Sequence, residues 1–193
     1  MKNMKYILLL AALLAAYTAP CSAQRTMRSQ FFIDAEGRWP LGAQLSLGQY
    51  TNVGYWNGFL TADRLYQTLV YSDGQTAARL DYYRIAIGAE YMARIAGTRS
   101  RSLSLYGGGG GMIGIELVDP FSLLPKDIVI QIDGESPAKR AFIFGVRPRI
   151  LCEWYLSQRF ALTAGCVAPI YFGSQWRYLS VMGTLGMRVN VDW

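Results

Sequence analysis

The sequence predicts an all-β protein, an eight-stranded antiparallel up-and-down transmembrane β-barrel. Three observations predict it: eight stretches of alternating apolar and polar residues, no helix-length apolar run after the N-terminal segment, and a last strand that ends on an aromatic residue. Backbone groups inside a membrane need internal partners, and only a closed sheet supplies them to alternating strands. A barrel therefore accounts for a chain that is 52% hydrophobic and lacks a spanning helix pattern.

The N-terminal residues 1–23 have the pattern of a secretory signal peptide. Two lysines precede an apolar run over residues 6–17, which is too short to cross a bilayer as a helix. Cleavage after Ala23 would leave residues 24–193 as an outer-membrane β-barrel domain. The alternative is a lipoprotein acylated at Cys21, but the proline before it fits a lipobox poorly. Export of a barrel predicts the outer membrane of a Gram-negative bacterium.

The predicted strands each have about the ten residues that a tilted strand needs to cross a bilayer. The fourth is the clearest, because Tyr83, Ile85 and Ile87 begin an apolar row. The third is the weakest, because adjacent Asp63 and Arg64 cannot both lie on its polar row, so its register stays undefined. In chain order the strands are Phe31 to Gly37, Leu41 to Tyr50, Phe59 to Tyr71, Tyr82 to Ile95, Leu103 to Ile115, Val146 to Leu156, Phe160 to Ala168, and Leu179 to Trp193.

A run of five glycines, Gly107 to Gly111, lies within the fifth strand. A phosphate-binding loop would need a following Lys-Ser or Lys-Thr pair and a helix, and the sequence has neither here. We therefore expect a bent, bare strand that large lumenal side chains from neighbouring strands can cross.

Connector lengths and tryptophans agree with a barrel whose termini face the periplasm. The connections at 98–100 and 157–159 are tight, whereas 72–79 and 119–139 are long and polar, as outward connections are in outer-membrane barrels. Indole rings prefer the headgroup boundary, and every tryptophan lies at a predicted strand end. These tryptophans are Trp39, Trp56, Trp154, Trp176 and Trp193.

Charged residues on the polar rows should face the lumen. An eight-stranded barrel is just wide enough to be filled by its own side chains, so we expect opposite charges there to pair. A carboxylate pair or an anion site among them is the alternative. The predicted lumenal charge plug consists of Arg84, Glu90, Arg94, Arg147, Arg149, Glu153 and Arg188, and Glu116 also faces inward.

The composition argues against catalysis and nucleic-acid binding. The chain has no histidine, which removes the usual base of barrel hydrolases and the usual partner of a Ser or Cys nucleophile. The net charge is +6, but two lysines lie in the signal segment and the arginines are scattered. We expect no enzyme activity, no cofactor, no metal site and no direct contact with nucleic acid.

The two cysteines of the predicted mature chain, Cys152 and Cys166, lie on the two strands of the hairpin formed by strands six and seven. A three-residue turn at 157–159 places Ile150 opposite Cys166 and leaves Cys152 on the diagonal. Diagonal neighbours lie about 7 Å apart, too far for a relaxed disulfide. We therefore expect two free, lipid-facing thiols.

The last strand predicts a signal for membrane insertion. Val189, Val191 and Trp193 share its apolar face, and the chain ends on the aromatic residue, as barrels read by the barrel-assembly machinery do. The expected partners are this machinery and outer-membrane lipid.

The long connection at 119–139 also contains an alternating stretch. Ile128, Ile130 and Ile132 form one row before a turn at Asp133-Gly134. This stretch is the candidate partner loop, since strand addition by another protein would cover the isoleucines; the alternative is that the loop folds over the barrel mouth.

Several segments together resemble the TraO proteins of Bacteroides-type conjugative transposons. They are residues 153–162 (Glu-Trp-Tyr-Leu-Ser-Gln-Arg-Phe-Ala-Leu), 142–145, 87–91 and the aromatic terminus. The resemblance runs from about Phe59 to the end and departs from the family in the third strand, at residues 62–65. It implies a structural or docking outer-membrane component of a conjugal DNA-transfer apparatus of the type IV secretion kind, with other apparatus proteins as partners. The alternative is a general small outer-membrane barrel for surface adhesion or envelope integrity.

Overall fold

The computed structural model describes residues 31–70, 76–98, 102–118, 140–157, 159–174 and 178–191. These residues form an all-β fold. Its strands are β1 (Phe31–Trp39), β2 (Gly42–Tyr50), β3 (Gly54–Val70), β4 (Thr76–Gly97), β5 (Leu103–Val118), β6 (Arg140–Tyr155), β7 (Phe160–Val167), β8 (Ile170–Phe172) and β9 (Met182–Val191).

The strands close into one antiparallel barrel. Each strand from β1 to β6 pairs with its sequence neighbour, and β9 closes the wall between β1 and β7. β7 and β8 both pair with β6 and share one position in the wall. Ala168 and Pro169 separate them, and a proline cannot donate to the ladder. The barrel therefore has eight wall positions, which confirms the predicted fold class.

The two faces of the wall have opposite chemistry. β1 alternates strictly between exposed and buried residues, with Phe31 and Ile33 outward and Asp34 and Glu36 inward. The same inversion recurs around the wall, so large apolar side chains face out and charged ones face in. Such a surface needs lipid, which makes the protein a transmembrane barrel. Among the described residues, no helix has the length and apolarity to cross a membrane.

Both ends of the described chain lie at the same end of the barrel, where Phe31 pairs with Val191. The connection at 51–53 and the turn between β6 and β7 lie there too. β3, β5 and β8 finish at the opposite end, so the longest stretches of chain outside the strands begin there, and the two-residue connection at 40–41 lies there too. Because short turns face the periplasm in outer-membrane barrels, the second end is the extracellular one.

β3 and β4 are longer than the sequence pattern indicates. β3 begins at Gly54 rather than Phe59, and β4 begins at Thr76 rather than Tyr82. Asp63 and Arg64 do not break the strand: Asp63 points into the lumen, and Arg64 points outward where the apolar row ends. An outward arginine is tolerated there because the strand leaves the hydrocarbon region at that point.

The hairpin of β6 and β7 has the predicted register. Ile150 lies opposite Cys166, and Cys152 lies opposite Ala164. The Leu156 N–H donates to the Phe160 carbonyl at 2.9 Å, which closes the turn. Both cysteines are free, as expected for diagonal neighbours.

The described tryptophans lie at strand ends. Trp39 is the last residue of β1, Trp56 is the third residue of β3, and Trp154 is the penultimate residue of β6. Trp56 packs against Tyr91 with a ring separation of 4.6 Å, near the periplasmic end of the outward face. Such a pair is typical of an aromatic belt at the headgroup boundary. Trp176 and Trp193 lie outside the described residues.

Candidate functional site: the lumenal charge plug

The lumenal charge plug is built where inward rows of neighbouring strands meet. In the middle of the barrel, Glu90 on β4 lies beside Gly110 on β5, which lies beside Arg147 on β6. Gly108 separates Met92 from Arg149 in the same way. The two glycines leave the wall bare, so the arginines of β6 reach across β5. This is the arrangement that the glycine run predicts.

The central layer of the plug is centred on Glu90. Its Oε1 accepts from Arg149 Nη1 at 2.8 Å and from Asn57 Nδ2 at 3.2 Å, and its Oε2 lies 3.1 Å from Arg147 Nε. Arg149 also binds Glu36 on β1, across the lumen. One carboxylate therefore joins three strands, and Arg149 extends the contact to a fourth.

Arg147 completes this layer with two further contacts. Its Nη2 donates to Gln44 Oε1 at 2.8 Å, and its guanidinium carbon lies 3.9 Å from the ring centroid of Phe59. A buried guanidinium over an aromatic face gains a cation–π contribution besides its ion pair. The layer thus ties β6 to β2, β3 and β4 at once.

The periplasmic layer is centred on Arg188 of β9. Its Nη2 donates to Asp34 Oδ2 at 2.7 Å, and its Nη1 donates to Glu153 Oε1 at 3.2 Å. The Tyr50 hydroxyl donates to Glu153 and accepts from the Tyr155 hydroxyl at 2.9 Å. Strands β1, β2, β6 and β9 therefore meet at one guanidinium.

Aromatic rings enclose the same arginine. Arg188 lies 3.9 Å from the ring centroid of Phe32 and 4.5 Å from that of Tyr55. Phe32, Tyr50 and Tyr55 also contact one another, with centroids 4.9 to 5.8 Å apart. This end of the lumen is filled by rings and one buried cation, with no exposed side chain among them.

The extracellular layer contains two ion pairs. Arg38 Nη1 lies 2.7 Å from Asp63 Oδ2, and Arg84 Nε lies 2.8 Å from Glu116 Oε2. The connection between β8 and β9 folds into this end, because Ser174 accepts from Arg84 at 2.7 Å and donates to Glu116 at 2.9 Å. The last extracellular connection is therefore tied to the barrel interior.

The chemistry of the plug is that of buried, mutually compensated charge. Six carboxylates and five arginines are buried in the lumen, so the described interior is close to neutral. Breaking such a pair leaves a charge in a low-dielectric site, whereas the intact pair contributes little net stability. In the described part of the chain, no group of three or more His, Cys, Asp or Glu residues could hold a metal. The arrangement can fix the strands relative to one another and fill the lumen.

Six of the seven residues predicted for the plug lie in it: Arg84, Glu90, Arg147, Arg149, Glu153 and Arg188. Arg94 differs. It is on the inward row of β4 but is half-buried at the periplasmic mouth, next to the bulge at 94–96, and it has no ion pair among the described residues. A position so close to water does not need a counter-ion.

Four further charged residues belong to the plug that were not predicted from the sequence. Asp34, Glu36 and Arg38 lie on β1 at alternate positions, and Asp63 lies on β3. The dyad spacing of the first three was a usable signal, but the short first strand made it weak. The inward orientation of Asp63 could not be predicted from its own strand, since only the pairing of β2 with β3 shows which of the two adjacent charges points inward.

The remaining predicted residues lie elsewhere. Val189 and Val191 are on the outward, lipid-facing row of β9. Trp193 and the candidate partner loop with Ile128, Ile130 and Ile132 lie outside the described residues.

Comparison with known proteins shows the fold. No protein-family model matches the chain, and no curated protein matches it. A major outer membrane protein from Thermus thermophilus matches 84% of this chain and 99% of its own, with a TM-score of 0.61 and 9% identity.

Two further solved structures match with lower scores. The N-terminal β-barrel domain of Pseudomonas aeruginosa OprF matches 85% of this chain and 98% of its own (TM-score 0.49, 15% identity). Neisserial surface protein A matches 86% and 94% (TM-score 0.43, 14% identity). At 9% identity the match to the Thermus protein concerns the fold alone, which is that of an outer-membrane β-barrel.

Proposed function

We propose that the protein is a small outer-membrane barrel that serves as a docking platform at the cell surface. The observation that carries the proposal is a two-stranded ribbon formed by the outer ends of β3 and β4. The last pair between β2 and β3 is Gly42 with Asp63, whereas β3 continues to Val70 and pairs with β4 as far as Thr76. The ribbon rises beyond β2 by about 20 Å, since a strand rises about 3.3 Å per residue.

The ribbon offers a backbone edge to a partner. The Arg64 N–H donates to the Leu41 carbonyl, so the N–H groups of even-numbered residues in β3 point toward the side of β2. Beyond the end of β2, Thr68 presents its N–H on that side. A strand edge that has no neighbouring strand among the described residues can pair with an extended segment of another protein by strand addition.

The packed lumen supports docking over transport. Ion pairs and aromatic rings occupy three levels of the interior, from Tyr155 near the periplasmic end to Tyr82 near the other. A barrel of this size fills its interior with its own side chains. Any function of such a barrel at the cell surface is then carried out by the parts that project from the membrane.

Cross-linking in cells tests the docking proposal. A photoreactive residue at position 68 should give a discrete adduct with another protein, and the same residue at position 162, in place of lipid-facing Leu162, should not. Thr68→Pro should prevent the interaction, because it removes the edge donor without removing a β3–β4 hydrogen bond. The effect of Thr68→Pro is measured as the loss of the adduct that a photoreactive residue at a second ribbon position, 66, forms in the parent protein. The absence of any adduct from position 68 would contradict docking at this edge.

The second candidate function is a part in conjugal DNA transfer. It is supported by the resemblance of residues 142–145 and 153–162 to the TraO proteins. We propose on this basis that the barrel is a structural or docking component of a type IV-like apparatus, with other apparatus proteins as its partners and without direct contact to the transferred DNA.

Gene deletion tests the conjugation proposal directly. Deleting the gene should abolish DNA transfer and leave growth normal, and a plasmid copy should restore transfer. Flanking conjugation genes would support the same conclusion. A deletion strain with normal transfer frequency would rule the conjugation role out and leave the general surface-docking role standing.

A further inference from the structure

The periplasmic layer of the plug contains two carboxylates and one guanidinium. Asp34 on β1 and Glu153 on β6 both form ion pairs with Arg188 on β9, at 2.7 and 3.2 Å. All three side chains are fully buried. The layer therefore carries one negative charge more than its arginine can balance.

The other two layers of the plug are balanced. Each contains two carboxylates and two arginines, which pair as Arg38 with Asp63, Arg84 with Glu116, and Arg147 and Arg149 with Glu36 and Glu90. Arg94, at the periplasmic mouth, forms no ion pair among the described residues, so it does not balance the periplasmic layer by contact. The excess carboxylate of the lumen thus belongs to that layer.

One oxygen of each carboxylate in this layer has no hydrogen-bond partner. Asp34 Oδ2 accepts from Arg188 Nε at 3.1 Å and from Nη2 at 2.7 Å, and Glu153 Oε1 accepts from Arg188 Nη1 and from the Tyr50 hydroxyl. Asp34 Oδ1 and Glu153 Oε2 are buried and accept no hydrogen bond within the described part of the chain. A charged oxygen buried without a donor is costly, and a proton on the carboxylate removes that charge.

The strands around the pair supply no further cation among the described residues. The titratable groups that face this end of the lumen are Glu36 on β1, Tyr50 on β2, Tyr55 on β3, Glu90 and Arg94 on β4, Tyr106 on β5, Arg149 and Tyr155 on β6, and Arg188 on β9. The inward row of β7 has no titratable side chain. Arg149 is already shared by two carboxylates, and a tyrosine is neutral below about pH 10. A proton from solvent is therefore the simplest positive charge that can balance the layer.

We propose that Asp34 and Glu153 together hold one proton in the folded barrel. The proton comes from water and adds to a carboxylate oxygen, which becomes part of a neutral carboxyl group, and no other bond changes. It brings the lumen to neutrality, since six carboxylates and five arginines are buried there. Because the two groups share Arg188, they titrate as a coupled pair, and the proton belongs to the pair. This site lies inside the barrel, apart from the ribbon edge, so it goes beyond the docking function.

The bound proton makes the barrel more stable at about pH 5 than at about pH 7. In the unfolded chain both carboxylates are ionised above about pH 4 to 5, whereas the folded pair keeps one proton. Unfolding then releases a proton, so the stability falls as the pH rises, until the folded pair loses its proton as well. One released proton lowers the folded-to-unfolded ratio by up to about tenfold per pH unit.

Unfolding at different pH values tests the proposal. The barrel is refolded into vesicles of a zwitterionic lipid and unfolded in urea between about pH 5 and 7, where a chain without histidine has no side chain that ordinarily titrates. The folded-to-unfolded ratio of the wild type should fall with rising pH. Asp34→Asn and Glu153→Gln each replace a carboxylate by a neutral amide of the same shape, and each should remove most of this dependence.

Asp63→Asn is the matched control, because Asp63 has an arginine of its own. It should destabilise the barrel at every pH and keep the wild-type dependence. Exchange of sodium for choline at constant ionic strength should change nothing. A wild type with equal stability at both ends of the pH range would overturn the proposal, whether or not the variants refold. So would a dependence that persists in both amide variants, or a dependence on sodium in place of pH, which would identify an alkali cation.

Discussion

Gly110 shows how one missing side chain lets the backbones of two neighbouring strands approach each other. A Cβ at this position would lie 1.8 Å from the Ala89 carbonyl oxygen and 2.5 Å from the Glu90 Cα. The neighbouring Gly111 faces outward, and the nearest heavy atom to a Cβ there is 4.0 Å away. The two glycines therefore differ in what surrounds them, although they are adjacent in sequence.

We expect Gly110→Ala to destabilise the barrel by at least about 1 to 3 kcal/mol, because backbone must move to accept the methyl group. Gly111→Ala should be close to neutral. Urea unfolding of barrels refolded into lipid vesicles measures both. Equal effects of the two substitutions would show that the register of β5 against β4 is different.

Glu90 is the carboxylate on which the central layer depends. Glu90→Gln removes the charge that faces both Arg147 and Arg149, and leaving a buried charge uncompensated costs about 3 to 5 kcal/mol. The exposed Arg64–Asp81 pair is the control, since water screens an exposed ion pair and Arg64→Gln should cost clearly less than Glu90→Gln.

A double-mutant cycle separates the interaction energy between Glu90 and Arg147 from the cost of losing each side chain by itself. Glu90→Gln combined with Arg147→Gln should cost clearly less than the sum of the two single changes, because each removes a charge that the other left unpaired. The same unfolding measurement applies. Strict additivity would mean that the two side chains do not interact in the membrane.

At the scale of the element, the outward row of β6 continues into the turn that follows it. Ile150 is 58% exposed and lies inside the strand, whereas Leu156 is 47% exposed and directly follows its periplasmic end. Ile150→Arg should cost about 2 to 4 kcal/mol, and Leu156→Arg about 0 to 1 kcal/mol, because the cost of a charge on the lipid face depends on depth. A reversed order in vesicle unfolding experiments would place the strand differently in the bilayer.

At the same scale, the seventh wall position is made of two pieces. Pro169 interrupts the ladder between β7 and β8, yet both pieces stay on β6: Val167 lies opposite Arg149, and Ile170 lies opposite Val146. The Ala168 N–H still donates to the Pro148 carbonyl at 3.0 Å. The wall therefore remains closed across the proline.

At the scale of the whole molecule, the outward apolar surface predicts that the protein resides in the membrane, and the filled lumen predicts that it does not conduct ions. The protein should sediment with outer membranes and migrate faster on a mild detergent gel when unheated than when boiled, since a closed barrel keeps its compact shape until heated. Recovery in the soluble periplasmic fraction would contradict this placement.

The interior predicts that the barrel does not conduct. Reconstituted in planar bilayers, the wild type should show no steady single-channel current, because the lumen is occupied by its own side chains at three levels. Glu90→Gln, which loosens the central layer, is the variant to compare. A stable conductance in the wild type would mean that the lumen holds a continuous water path.

Much of the fold follows from local pattern. The alternation in β4, β6, β7 and β9 assigns each side chain to lipid or lumen, because a strand has a period of two and each face meets a different environment. The turn after Leu156 then determines the pairing of Ile150 with Cys166. Residues such as Arg149 and Glu153 are thereby placed inside by sequence alone.

The tertiary structure decided which of those charges pair. Arg149 binds Glu36 and Glu90 rather than its strand neighbour Glu153, which instead binds Arg188. These partners lie far apart in sequence, and only barrel closure and strand stagger bring them together. The inward position of Asp63 rather than Arg64 likewise follows from the pairing of β3 with β2, and the pairing of β3 with β4 extends both strands beyond the end of β2. A dyad pattern defines the face on which a residue lies, but long-range packing defines what it meets there.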